Sequence, residues 1–275
     1  MFARPAWLPA CLALVPFFVS AQAVAARPAA PASHAARPAP AAPSPAIIDP
    51  AARDLFTQMV AAQRALQSFV VTTDAEDQTG GKAVPRSQGQ SRIAFSAPAS
   101  VAVTVAQQGK TLGQLFSSGT TFTRVDTRRK EYRQDALPAA DAPRIVGAEI
   151  GNLGLLPRSF ADPSGLLGLL TASGLVAVAR GTIAGPINGV PVDSVVARLI
   201  GSDTAEGTFT FVMGQGDHLL RQVIVHEVFP ASKSGAARDL THTETVTALQ
   251  TNPALPASEF AYKPGSGFKK VTSTH

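Results

Sequence analysis

The stretch Thr208–Phe229, TFTFVMGQGDHLLRQVIVHEVF, constrains the fold more than any other part of the chain. It holds two extended runs, Thr208 to Met213 and His218 to Val228, around Gly214-Gln215-Gly216-Asp217, a cluster of turn formers suited to a hairpin. Period-two alternation places Phe209, Phe211 and Met213 on one face of the first strand, and Leu220, Ile224 and Val228 on one face of the second. So broad an apolar surface needs a cover, and what covers it is the functional question.

The ends of the chain set its compartment. Met1 to Ala23 has an early Arg4, an apolar run from Trp7 to Val19, and small residues spaced for cleavage at Ala21-Gln22-Ala23 and Ala23-Val24-Ala25. This reads as a signal peptide over residues 1–25. The run is shorter than the roughly 20 residues of a spanning helix and is broken by Pro9 and Pro16, and no later segment is long and apolar enough to span. Cys11, the only cysteine, lies inside that signal, so the mature chain has no disulfide, thiolate nucleophile or cysteine metal site. A pI near 9.7 permits weak attraction to anionic surfaces without specifying one.

Residues 26–48 form a linker of little beyond Ala, Pro, Arg and Ser, which cannot bury enough apolar area to offset ordering entropy. One domain, 49–275, follows. Asp49-Pro50 is an N-cap with proline at the first helical position, and Leu55, Phe56, Met59, Val60 and Leu66 recur at helical spacing, so an amphipathic helix is predicted from about Pro50 to Gln67. Short strands are predicted at Ser68–Thr73, Ser91–Phe95, Ser100–Ala106, Thr120–Val125 and Lys130–Gln134, with a polar excursion at Glu76–Gln90. The connection Ala136–Arg158 receives no assignment. Asp162-Pro163 opens a short helix, apolar nearly all round, with Leu166, Leu167, Leu169 and Leu170. Strands resume at Val176–Ile183 and Val192–Ile200, continue through the hairpin, and end with Asp239–Leu249. The sum is an α+β domain built on one large antiparallel sheet.

Chemical motifs are few. Gly109-Lys110-Thr111 lacks the glycine a phosphate loop needs at position 104, which is Thr104, and reads as a turn. Gly214-Gln215-Gly216 joins two strands instead of opening a helix, and Ser266 and Lys269 have serine-lysine spacing without the rest of that catalytic set. His226 and His242 are placed on adjacent strands with Glu227 and Glu244 nearby, but Glu227 points away from His226, so partly exposed strand histidines are expected and no metal site. Arg124, Arg128, Arg129, Lys130 and Arg133 form the one basic cluster, at a predicted hairpin turn. With only Tyr132 among them, it reads as a solvated turn or a contact for a membrane surface or protein, not for nucleic acid.

Three stretches together resemble the LolA and LolB type superfamily of periplasmic lipoprotein carriers, and most an uncharacterised branch of predicted periplasmic proteins within it. SGTTFTRVDTRRKEY, Ser118 to Tyr132, is similar to its Asp-Gly-Lys-x-Leu, short strand, Asp-Pro and closing Tyr pattern. FADPSGLLGLL, Phe160 to Leu170, followed by NGVPVDSVVARL, Asn188 to Leu199, resembles its Asp-Pro helix and Asp-Gly-Val-Pro strand. NPALPASEFAYKPGSGFKKV, Asn252 to Val271, resembles its terminal signature and is the most specific of the three. The resemblance implies an incomplete barrel, a strongly curved antiparallel sheet whose helices form a lid over an apolar cavity for acyl chains, in a periplasmic protein. Where carriers of the first type have arginine before the proline ending their third strand, this chain has Ala97 before Pro98, and its only tryptophan, Trp7, lies in the signal.

The expectation is a non-enzymatic exported protein, without cofactor or metal and not integral to a membrane. Its partner would be a lipid, an acylated protein or another hydrophobic ligand, with an envelope protein as a further candidate. Phe95, Val103, Leu115, Phe122, Leu166, Leu170, Phe209 and Phe211 are the candidate cavity lining, although ordinary core packing explains the same alternation. The alternative is a structural or interaction module with a filled interior, docking to an envelope complex.

Overall fold

The computed structural model describes residues 46–272 except 81, 84–87, 139, 152, 169–173, 184, 201–205 and 230–236. The expected signal peptide, most of the linker, and Leu170 lie outside the described residues.

Asp49 caps the first helix as its sequence signature requires: the side chain accepts a hydrogen bond from the Ala51 N–H at 3.0 Å, and Pro50 begins α1, Pro50–Arg64. The helix buries Ala52, Phe56, Met59, Val60 and Gln63. It packs on β9 (Leu175–Arg180) and β10 (Val192–Ile200). From β10 the chain turns back through β11 (Glu206–Gly214), β12 (Leu220–Phe229) and β13 (Arg238–Thr251), an antiparallel meander. A second meander comes from the first half of the chain: β2 (Ser68–Thr79), β4 (Gly89–Ser96), β5 (Ser100–Gln107), β6 (Lys110–Ser118), β7 (Thr121–Asp126) and β8 (Glu131–Ala136), with the two-residue β3 (Lys82–Ala83) on β2. The meanders join where β13 pairs antiparallel with β2, from Leu240↔Thr79 to Thr251↔Phe69. Short parallel strands finish both margins, β1 (Ile47–Ile48) on β9 and β14 (Lys269–Lys270) on β8.

Three further helices follow β8 in the stretch from 136 to 158 that carries no sequence assignment and just beyond it: α2 (Ala142–Gly151), α3 (Leu155–Ala161) and α4 (Pro163–Leu167). They pack on one another, and α3 and α4 also meet α1. The set therefore reaches from β9 and β10 to β7, where Glu149 of α2 pairs with Arg124. In the strand order β9 and β7 are nine positions apart, which in a flat sheet would be about 43 Å at ~4.8 Å per strand. Four short helices, linked from α1 through α3 and α4 to α2, span that interval because the sheet is strongly curved around them. Register shifts in β5, β10, β11–β12 and β13 add local bends. The fold is an α+β half-barrel with a helical lid on its hollow side. Among the described residues no helix is long and apolar enough to cross a membrane.

One bulge changes the reading of the hairpin. Met213 pairs with Leu220 and Val212 with Gln222, which leaves Arg221 as an extra residue on β12. Side chains beyond it are shifted to the other face, so Val223 and Val225 face Phe211 and Phe209 on the hollow side, whereas Ile224 and Val228 face outward. Val228 is accordingly 40% exposed. Strict alternation from Leu220 fails here because it has no means of counting an inserted residue.

The most specific sequence signature lies on the opposite, convex face. The Asn252 side chain accepts hydrogen bonds from the Gln67 and Ser68 N–H groups, fixing the junction of α1 and β2. Phe260, in the short turn Ala257–Phe260, packs with Val70, Ala94 and Ala102 in a second cluster joined by Phe116 and Leu255. Tyr262 follows, its ring 5.4 Å from Phe116 and 5.2 Å from Tyr132. The terminal segment is a strap that covers the back of the sheet. Phe260→Ala should lower stability by about 3 kcal/mol in urea unfolding, as for other buried aromatic truncations; an effect below ~0.5 kcal/mol would show the strap to be loosely attached.

Candidate functional site: the hollow face and its polar rim

The described lining candidates do converge. Val103, Leu115, Phe122, Leu166, Phe209 and Phe211 are buried members of one core cluster, and Phe95 is a partly buried residue packed against it. Cross-strand pairing explains the grouping: Phe95 faces Val101, Val103 lies between Ile93 and Leu115, and Phe209 and Phe211 lie between Ala197 and Val195 on one side and Val225 and Val223 on the other. The lid meets these side chains with its own aromatics. Phe56 of α1 is edge-on to Phe211 at 5.3 Å, and Phe160 of α3 lies 5.2 Å from Phe69, which stacks on Phe95 at 5.1 Å.

Toward the end of the sheet that carries the β5–β6, β7–β8 and β12–β13 connections, the hollow face is less deeply buried and becomes polar. Val105, Val225 and Leu240 are only half-buried there, the first two in contact with the core cluster. Asp77, Glu227, His242 and Glu244 occupy the same face, as the pairs Asp77↔His242, Val225↔His242, Val223↔Glu244 and Glu227↔Leu240 require. His242 Nδ1 is 2.6 Å from the Asp77 carboxylate and Nε2 is 2.9 Å from that of Glu244. Burial alone would lower the His242 pKa, but the two carboxylates more than reverse this and raise it to about 10, so the ring is an imidazolium at neutral pH. Burial raises the Glu227 carboxyl, and the positive charge of His242 opposes that shift.

Glu244 has a second task. Its two oxygens accept hydrogen bonds from the Leu155 N–H at 3.1 Å and the Leu156 N–H at 2.6 Å, the first donors of α3. A carboxylate on β13 thus caps a lid helix at the positive end of its dipole. Gly154 makes the approach possible, because its φ of +148° suits glycine and any Cβ there would collide with the Glu244 carboxylate. At the far side of the lid, Arg124 pairs with Glu149 of α2 and stands 4.5 Å above the Phe122 ring.

These positions divide what the sequence grouped. His226 faces outward and pairs with Asp239 at 2.8 Å, whereas His242 faces the lid, so the two histidines do not share a site. Asp77 escaped notice because Glu76–Gln90 reads as a polar excursion, yet the alternation Val71, Thr73, Ala75, Asp77 already continued the strand. Arg124 and Arg133 leave the basic cluster for pairs with Glu149 and Asp135, which separates them from the exposed Arg128, Arg129 and Lys130.

No family model matches the chain, and no curated protein matches it. Among solved structures it is similar to MucB at 14% identity and a TM-score of 0.41, over 78% of this chain and 64% of that one. LprF from Mycobacterium bovis is similar at 8% identity and a TM-score of 0.40, over 79% and 99%. A LolA superfamily protein from Nitrosomonas europaea is similar at 9% identity and a TM-score of 0.33, over 77% and 97%. The chain spans 64% of the length of MucB.

Two outcomes follow from the rim. Gly154→Ala should loosen α3 and lower stability by about 2 kcal/mol or more, since both strain and lost caps contribute. The folded pKa of His242 lies above its ordinary 6.5, so the stability it contributes is complete below that pH and is lost as pH rises toward about 10. Urea unfolding across this window should show the decline in the parent and a flatter profile in His242→Gln; parallel profiles would remove the ion cluster from the stability of the lid.

Proposed function

We propose that this is an exported, non-enzymatic protein that holds a hydrophobic ligand, a lipid or an acylated protein, between the hollow face and the lid. The observation that carries this reading is the continuity of half-exposed apolar positions at the rim, Val105 and Val225, with the buried cluster beneath the helices. An acyl chain entering beside the turn between α2 and α3 would exchange water for that surface at about 0.8 kcal/mol per methylene. The three sequence stretches that resemble LolA-type carriers support the same reading and a periplasmic location. Because Ala97 stands where those carriers have arginine, the proposal extends to binding an acyl chain, free or protein-borne, and not to lipoprotein trafficking.

A second reading is favoured by one observation. Val103, Phe122, Leu166 and Phe211 are 2% exposed or less, as in an ordinary packed core. On that reading the protein is an interaction module of an envelope complex with a filled interior.

Native mass spectrometry and lipid extraction of protein purified from its own envelope separate the two, since co-purifying lipid supports the binder. Titration with a fluorescent fatty acid adds a residue-level test. Val225→Glu should weaken the probe at least tenfold by placing a carboxylate at the rim, with near-ultraviolet dichroism unchanged. A parent protein that carries no lipid and ignores the probe is the filled-core module.

A further inference from the structure

The structure adds to the exposed turn of the basic cluster a second group of cations from the far end of the chain. Arg128, Arg129 and Lys130 occupy the connection between β7 and β8, and all three are exposed. Parallel pairing of β14 with β8 sets Lys269 beside Glu131 and Lys270 beside Tyr132, held by hydrogen bonds from the Lys269 N–H to the Lys130 carbonyl and from the Val271 N–H to the Tyr132 carbonyl, both 2.9 Å. Lys263 follows Tyr262, whose ring rests 5.2 Å from Tyr132. Six exposed cations thus lie along one margin of the sheet; among the described residues of β7 and β8 the carboxylates are Asp126, Glu131 and Asp135, the last paired with Arg133.

The turn is built to hold these charges outward. The Asp126 carboxylate accepts from the Arg128 and Arg129 N–H groups at 2.9 and 3.0 Å, which fixes the connection, and its ion pair with Arg129 is long, at 3.8 Å. Among the described residues no carboxylate pairs with Arg128, Lys130, Lys263, Lys269 or Lys270. The Lys270 ammonium reaches only the Gln134 side-chain oxygen, at 3.4 Å.

We propose that this margin docks the protein on an anionic phospholipid surface. Coulomb attraction to such a surface needs several cations on flexible stems gathered at one margin, and no pocket; Lys269 and Lys270, successive residues of β14, serve that margin from its two faces. The alternatives fit less well. Nucleic acid would call for open aromatic faces, but Tyr132, Tyr262 and Phe268 pack against one another and are half-buried. A specific protein partner would call for an exposed apolar anchor, and among the described residues the large exposed apolar ones, Ile47, Ile200 and Val228, lie on other strands. The β7–β8 connection is at the same end of the sheet as the polar rim, so docking would bring that rim toward the lipid. The docking itself stands independently of any ligand in the interior.

The test is sedimentation of the full chain with phosphatidylcholine vesicles containing roughly one third phosphatidylglycerol, with pure phosphatidylcholine as control. Binding should be confined to the anionic vesicles and fall steeply between ~0.05 and ~0.5 M salt. Arg128→Gln, Lys130→Gln, Lys269→Gln and Lys270→Gln combined should weaken it about a hundredfold or more, at about fivefold per cation, while a combination of Arg53→Gln and Arg64→Gln, on α1, should leave it unchanged. Equal binding to neutral vesicles, no binding to anionic ones, or an unaltered fourfold variant would overturn the proposal. Retention on polyglutamate or RNA without vesicle binding would overturn it equally and assign the margin to a macromolecular partner.

Discussion

The seam between β2 and β13 is the interaction on which the rest of the structure depends. Each meander is local in sequence, but the seam brings Phe69 to Thr79 against Leu240 to Thr251, strands some 170 residues apart. Without it the two meanders would be separate sheets, and the apolar faces they now share would not form one surface. With it, the hollow sides of both meanders become one surface, and α1, which leads directly into β2, reaches across to β9 and β10. Loop closure over so long a separation is entropically costly, and the length of the paired segment, the longest in the sheet, offsets it.

That seam also places charge inside the half-barrel. Asp77 comes from one strand and His242 and Glu244 from the other, so the ion cluster exists only when the meanders have joined in register. A one-residue slip at the seam would put Asp77 on the face opposite to His242 and Glu244. Buried ions seldom add net stability over well-packed apolar groups, and their clearest use is to fix one arrangement among several. Here that arrangement includes the lid, since the carboxylate of Glu244 is bound to the first turn of α3. Strand register and lid position are therefore read by a single side chain.

Much of the fold was legible from residues. The capped start of α1, the sequence of strands, and the alternation of Phe209, Phe211 and Met213 all have local causes, and the structure shows each of them. What was not legible depends on distant partners. The stretch 136–158 has no strong apolar period, and its helices are held by α1, the sheet and the Glu244 cap. Ile224 and Val228 were expected beside Leu220, and a single bulge at Arg221 sends them outward. The candidate lining was found because inward-facing strand residues share one period, but that period does not distinguish a core from a container. The charged rim went unseen because Asp77 and His242 are 165 positions apart.

The two margins have a consequence for the behaviour of the molecule in a crowded compartment. An open sheet invites growth, because each outermost strand offers unsatisfied amides and carbonyls to any extended segment nearby. Here each flank finishes in a fragment of two residues, Ile47–Ile48 and Lys269–Lys270, too short to template a neighbour, and the second sets like charges where another copy would have to stack. The margins of this unclosed half-barrel therefore invite strand addition less than long bare edges would.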